Sequence, residues 1–271
     1  RAKFIRVLMA EMNRIASHLY WLCLMSISVG FETMLMWTMN DRELFLDLFE
    51  EITGARITYS ALRPGGIAFD IPDSFQQSAT RILDHFEHRL DDYLAMIFKN
   101  HTFRMRTVDV GVLSASDAIE LGIVGPNLRA SGVSADVRRD EPYEAYEKFE
   151  FSIPCEDKGD AYARSLVRFH EMRESVSIIR QAIKTIPSGP VAVRFPQMLP
   201  KGEAYSRVES ARGELGYYLV SEGMDRPYRL KISTPSFRNM AALPHLVRNV
   251  TMADVTPIYL SLDLIPLDID R

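Results

Sequence analysis

The sequence predicts a mainly α protein with a small β hairpin. Three observations predict it: long stretches with apolar residues at three-and-four spacing, a middle region broken by glycine and proline, and two short alternating segments near the C-terminus. In the first stretch, Ile5, Leu8, Met9, Met12, Ile15, Leu19, Leu22 and Cys23 share one helical face, which predicts a helix over residues 3–28 ending near Gly30. A second helix is predicted over 33–53, with Leu44, Phe45, Leu48, Phe49 and Ile52 inward and Gly54 as its C-terminal cap, so the two form an antiparallel pair. After a turn containing Pro72, residues 74–99 read as a third helix. Glycines and prolines across 107–155 predict short helices and irregular loops. Residues 160–185 are a fourth helix with Tyr162, Leu166, Phe169, Val176 and Ile179 inward and a dense set of Arg and Glu outward. A proline-rich connector spans 187–200. Segments 215–221 and 228–233 alternate as the strands of a hairpin, and a short helix is predicted near 252–260.

At 271 residues and 47% hydrophobic, the chain can bury a substantial core, read here as one domain over 1–271. A formal net charge of −4 with 25% charged residues gives no basic field, which argues against a nucleic-acid role. The uncharged run 19–31 is shorter than the roughly 20 residues a membrane-spanning helix requires, so membrane association must come through partners. Two distant cysteines, Cys23 and Cys155, supply neither a disulfide framework nor a cysteine-held cluster or zinc site within this chain. The chain opens on Arg1 inside a helical pattern, which predicts a partial sequence lacking its first segment; such a piece should expose apolar surface and dissolve poorly alone.

Several clusters are candidates for chemistry. Glu11, Arg14 and His18 fall on one helical face, either as a proton-carrying stripe or as a structural ion-pair row. Arg63 precedes Pro64-Gly65-Gly66, and Arg129 precedes Ala130-Ser131-Gly132. In each, glycine permits a close approach while the guanidinium forks toward a carboxylate, phosphate or cofactor edge, or else forms a buried bridge. Glu209, Arg212 and Glu214 crowd six positions, and an Arg between two carboxylates can hold a charge network near a redox centre. The ending carries Asp263, Asp268 and Asp270, which either bind a hard cation or form a salt-bridged tail. Phosphate-binding glycine motifs and nucleophile elbows do not occur.

Taken in order, the segments Asn13-Arg-Ile-Ala-Ser-His, Thr53-Gly-Ala-Arg, Leu62-Arg-Pro-Gly-Gly, Leu128-Arg-Ala-Ser-Gly-Val with Asp136-Val-Arg, Val167-Arg-Phe-His-Glu-Met-Arg-Glu-Ser, Glu209-Ser-Ala-Arg-Gly-Glu-Leu-Gly-Tyr-Tyr and the ending at 263–271 resemble the 49 kDa family of complex I, the D-type component of NADH-quinone oxidoreductases. That family is similar to nickel-iron hydrogenase large subunits, which implies a hydrogenase-like helical core. The hydrogenase C-terminal thiolates fall on Ile265 and Asp268, so the resemblance implies that the nickel ligands are gone and a working hydrogenase is the lesser alternative; a non-catalytic docking scaffold is another. It further implies a quinone or phenazine cavity shared with an iron-sulfur (B-like) partner that carries a 4Fe-4S cluster, contact with a 30 kDa (C-like) partner and with membrane-arm subunits, and a place at the cytoplasmic face of the cell membrane. Electrons would come from NADH, coenzyme F420 or ferredoxin through other subunits. The family's headgroup His and Tyr would lie upstream of residue 1. Cavity or cluster-interface candidates carried by the resemblance are Arg63, Gly65, Gly66, Arg129, Glu209, Arg212, Glu214, Asp263 and Asp268, with Arg212 expected to be buried between Glu209, Glu214 and the C-terminal aspartates. Ser28 stands where the respiratory enzymes carry an Asp, and the short connector 189–209 resembles archaeal and hydrogenase-like branches; both suggest a variant complex.

Overall fold

The computed structural model describes residues 1–196 and 198–270. Four long helices form the core: α1 (Ala2–Ser28), α2 (Thr33–Thr53), α3 (Phe75–Tyr93) and α8 (Ala161–Thr185). Between α3 and α8 lie the short helices α4 (His101–Thr107), α5 (Ala115–Glu120), α6 (Pro126–Arg129) and α7 (Val137–Asp140). Helix α1 is the hub, packed by α2, α8 and the later α11 (Met252–Ser261). Ile5, Leu8, Met12, Ile15, Leu19 and Leu22 are fully buried along it, each contributing about 1.5–3 kcal/mol from burial. The predicted α1–α2 pair is observed. Gly54 closes α2 at φ 74°, donating its N–H to Glu50 O at 2.8 Å. No helix among the described residues is long and apolar enough to cross a membrane.

Two segments differ from expectation. The predicted 215–233 hairpin is the second half of a three-stranded antiparallel meander, β3 (Gly202–Ser210), β4 (Gly213–Ser221) and β5 (Arg229–Ser233), in that order. Strand β3 is not foreseen because most of its residues are exposed, so it lacks the apolar alternation that marks a half-buried strand. The third helix runs from Phe75 and widens into a π turn over Leu94–Phe98.

Strands β1 (Leu62–Arg63) and β2 (Gly66–Ile67) form a minimal ladder around Pro64-Gly65. The connector after α8 crosses this turn as a strap: Ile67 N–H donates to Val191 O at 3.0 Å and Val193 N–H to Gly65 O at 2.9 Å. A Cβ on Gly66 would lie 2.2 Å from Val191 O, so glycine is required for that approach. The chain then closes with α9 (Pro235–Asn239), α10 (Leu243–Leu246), α11 and α12 (Pro266–Ile269). A second apolar cluster, including Leu113, Ile123, Leu246, Ile258 and Leu262, seats α11 against the loops around α5.

Candidate functional site

Two polar stripes at helical spacing face each other across the α1–α8 interface. Glu11, Arg14 and His18 line one; Arg164, Arg168, Glu171 and Ser175 line the other, and all seven are buried. This corrects the outward placement of the α8 charges. Arg173 and Arg180 do face outward, but Arg164, Arg168 and Glu171 turn into the core.

Glu11 is the anchor of the network. Its carboxylate accepts from Arg14 at 3.2 Å, Arg138 at 3.2 Å, the Tyr146 hydroxyl at 2.6 Å and the Ser175 hydroxyl at 2.6 Å. Burial alone would raise its pKa, but the two guanidiniums and two hydroxyls outweigh burial and hold it at about 2. Arg138 also grips Asp136 at 2.7 Å, and this grip outweighs burial to keep that carboxyl below its ordinary range. His18 Nε2 lies 2.7 Å from Glu171, whose other oxygen accepts from Arg129. Burial pulls His18 down to about 4, only partly offset by its bond to Glu171, so the ring is neutral and donates from Nε2. Burial would raise Glu171, yet Arg129 and His18 hold it well below the usual carboxylate range.

Arg129 is fully buried and forks three ways: to Glu171, to Glu209 at 2.9 Å and to Ala135 O at 2.8 Å, with Asp136 at 3.6 Å. Arg164 and Arg168 meet no carboxylate within hydrogen-bond reach among the described residues. Arg164 donates to Ser261 Oγ and to the carbonyls of Gly159 and Gly111; Arg168 donates to the Arg164 and Ser261 carbonyls and to Asn127 Oδ1. Burial lowers both, and together they clamp the end of α11 to the core.

The expected Glu209–Arg212–Glu214 network does not form. Glu209 and Glu214 are cross-strand partners flanking the two-residue turn Ala211-Arg212, but their carboxylates diverge. Glu209 turns inward to Arg129, whereas Glu214 pairs with Arg207 and Arg238, each at 2.7 Å. Arg212 instead reaches buried Asp263, Nε to Oδ2 at 3.1 Å, as an ion pair without hydrogen-bond alignment. Burial raises the Asp263 carboxyl even so. Asp268 is not the partner of Arg212: it accepts from the Ser236 hydroxyl at 2.8 Å. Of the two C-terminal carboxylates expected beside Arg212, Asp263 is observed there and Asp268 is not; Arg212 is half-buried rather than buried, and Arg271 lies outside the described residues. Ser28 donates its hydroxyl to Met25 O at 2.6 Å in its own helix.

A cavity of about 560 Å³ opens between α1, the β1–β2 turn and the β3–β4 turn, lined by Arg6, Met9, Arg14, Tyr59, Arg63, Tyr143, Glu209 and Leu215 among others. Exposed Arg63 stands at its rim. Arg6 latches the turn from below, donating to the carbonyls of Arg63 and Gly66 at 2.8 Å each. Arg212 lines a neighbouring cleft of about 210 Å³ with Ser17, Arg42 and Arg56. Asn13 and Tyr59 line both spaces, and the Tyr59 hydroxyl donates to Asn13 Oδ1 at 2.6 Å while its ring stacks on Phe49. This arrangement can hold an extended, partly apolar ligand beside a buried set of fixed charges. Of the candidates, Arg63 and Glu209 line the larger cavity, Gly65 and Gly66 lie outside its lining and border a separate cleft with Arg6 and Glu144, Arg129 sits behind its wall, and Glu214 and Asp268 stand apart from it. Sequence reasoning missed Asp136, Arg138, Tyr146 and Glu171. For Glu171 the signal was present: Arg164, Arg168, Glu171 and Ser175 repeat at helical spacing, like the stripe on α1.

The sequence matches the family described as respiratory-chain NADH dehydrogenase, 49 Kd subunit, over residues 28–199 and 196–271. Among relatives, a protein of Clostridium beijerinckii, named as the D subunit of an NADH-quinone oxidoreductase, is 42% identical over 273 positions, covering all of this chain and 74% of its own length. Proteins of the same name from Geotalea uraniireducens and Desulforamulus reducens are 40% identical over 298 positions and 42% over 272, with this chain wholly covered and spanning 76% and 74% of theirs. The clostridial and Desulforamulus alignments run over 273 and 272 positions for the 271 residues of this chain, whereas the Geotalea alignment runs over 298, so this chain matches some bacterial relatives in length and is shorter than others, and its length does not by itself point to an archaeal branch. With its match reaching across most of the sequence and its identity to these relatives near 40% throughout, this chain belongs to the respiratory-chain NADH dehydrogenase 49 Kd subunit family.

Proposed function

We propose that this chain is the quinone-module subunit of a complex I-type, proton-pumping oxidoreductase, and that the cavity of about 560 Å³ forms its wall of the acceptor site. The observation that carries the reading is the convergence of Arg63, Arg14 and Glu209 on one partly apolar space, in a chain of this family. Met9, Leu62, Val208 and Leu215 suit a quinone or phenazine body, and the two tyrosines with the rim arginines offer donors to its polar edge. A B-like iron-sulfur partner closes the site and delivers electrons from a 4Fe-4S cluster; a 30 kDa, C-like partner and membrane-arm subunits hold the assembly at the cytoplasmic face of the membrane. The relatives' names favour NADH over coenzyme F420 or ferredoxin as the ultimate donor. The chain works as one domain, with Arg212 and Asp263 bracing the region beside the smaller cleft. A nickel hydrogenase is the lesser reading, because Ile265 and Asp268 stand where the resemblance places the nickel thiolates and neither supplies a soft ligand.

Ala10 lines the cavity and offers a test. In the purified complex, Ala10→Trp should fill the space and lower quinone reduction about tenfold, the equivalent of about 1.4 kcal/mol, while donor oxidation by an artificial acceptor persists. Unchanged quinone reduction would place the acceptor elsewhere.

A further inference from the structure

Glu209 differs from the other carboxylates of the buried network in its compensation. Glu11 has two guanidiniums and two hydroxyls, Asp136 has the two-pronged grip of Arg138, and Glu171 has Arg129 together with His18. Glu209 receives one Arg129 N–H at 2.9 Å and the Val137 N–H at 3.3 Å, and it shares that Arg with Glu171 and Asp136. Within this group Arg14, Arg129 and Arg138 face Glu11, Asp136, Glu171 and Glu209, three cations against four anions. His18 does not supply the fourth positive charge, because its Nδ1 is enclosed with no acceptor among the described residues. Arg168 is spent on carbonyls and Asn127 and does not reach Glu209. Burial pushes the Glu209 carboxyl up despite Arg129, the opposite of Glu11, Asp136 and Glu171.

Position is the second difference. Glu209 belongs both to this network and to the wall of the larger cavity, and its carbonyl accepts from Arg14, another wall residue, at 2.8 Å. Its carboxylate turns to Arg129, so it does not touch a ligand in the cavity. A negative charge arising there nevertheless acts on it across a poorly screened interior.

We propose that Glu209 is a charge-balancing carboxyl that takes up a proton when the bound acceptor gains negative charge and releases it when the acceptor becomes neutral. This rests on the assignment of the cavity as the acceptor site. In the full reaction the acceptor takes two electrons from the partner's iron-sulfur cluster and two protons from solvent-connected groups, converting two C=O groups to C–OH. Glu209 makes and breaks no bond of the acceptor; its own O–H forms with a separate proton drawn from solvent after the first electron arrives, and breaks, returning that proton to solvent, once the second protonation has removed the charge. It is thus a positioning residue. The groups facing it are Arg129 at the end of α6, Asp136 and Arg138 at α7, Arg14 and Glu11 on α1, Glu171 on α8, Glu214 opposite on β4, and the Tyr143 hydroxyl, which accepts from the Glu209 N–H at 3.2 Å.

The test uses the intact complex and redox-difference infrared spectroscopy with quinone. Followed in time after electrons are delivered, the C=O band of a protonated carboxyl should rise while the acceptor carries negative charge and decay as the neutral quinol forms; Glu209→Gln should abolish this transient band, and Glu209→Asp should restore a shifted one. Alongside it, the pH dependence of quinone reduction, about tenfold per unit on a limb governed by one group, should flatten to less than about twofold in Glu209→Gln. An unchanged band and pH profile in that variant overturn the proposal. Should the variant fail to assemble, wild-type complex carrying carboxyl-labelled glutamate decides: a band that does not move with the label overturns it. A complex that reduces no quinone overturns the functional reading as well, whereas one that reduces quinone with no glutamate band overturns this inference alone.

Discussion

His18 shows how a single residue can record the polarity of its surroundings as a pH response. In the unfolded chain its imidazole binds a proton near 6.5, and in the folded protein burial lowers this to about 4. The unfolded state therefore binds the proton first on acidification, so stability is untouched above pH 6.5 and falls as pH drops from 6.5 toward 4. The loss is on the order of 3 kcal/mol for a displacement of this size. Below that window Glu11 takes over: its folded-state pKa of about 2 against 4.5 adds a further loss between those values. His18→Gln keeps an N–H donor for Glu171 without the titration, so chemical denaturation at stepped pH should show its slope between 6.5 and 4 disappear while the Glu11 slope stays. A variant that keeps the upper slope would mean another group carries it.

At the scale of elements, the site depends on how closely the β3–β4 turn approaches the loop before α6. Gly125 and Gly213 meet back to back: a Cβ on Gly125, at φ 68°, would sit 2.3 Å from Gly213 Cα and 2.7 Å from Arg212 O. Gly125→Ala should therefore push the turn away, costing about 2 kcal/mol or more from overpacking and backbone strain, and should weaken the Arg212–Asp263 pair with it. Thermal unfolding of the variant against wild type checks this, and an unshifted midpoint would refute the close approach. The same scale shows what the sequence discloses. Helices α1, α2, α3 and α8 are legible because their apolar period repeats over many turns, and Gly54 marks its own cap. Strand β3 is not, because a mostly solvated strand carries no face pattern. The Arg212–Asp263 contact came from a family resemblance, whereas the inward turn of Arg164, Arg168 and Glu171 was hidden by the general rule that charge lies outside. Partners for Glu209 and Glu214 were illegible for another reason: adjacent positions at a tight turn diverge into different environments, which spacing along a chain does not encode.

Across the whole molecule, cohesion is unevenly distributed. Helix α1 is buried along nearly its full length and is held by α2, α8, α11 and a network of charges shielded from salt. Outer pairs such as Arg56 with Glu43, Asp47 and Glu50, or Arg180 with Asp84 and Glu87, are solvated and contribute little. The meander lies at the other extreme: β5 is an edge strand, paired through β4, with Arg229, Leu230 and Lys231 exposed. Opening β5 breaks one ladder, whereas opening α1 or α8 must expose the main core and disrupt several buried ion pairs in the same event. Native-state hydrogen exchange should accordingly find the amides of residues 8–22 and 167–179 exchanging only through the largest opening, those of β4 at intermediate rates, and those of β5 through local fraying. Raising salt should leave the slow class unchanged, since its ion pairs are out of contact with the solvent. Equal protection of β5 and α1, or salt-dependent loosening of α1, would show that the buried network is not what holds this centre together.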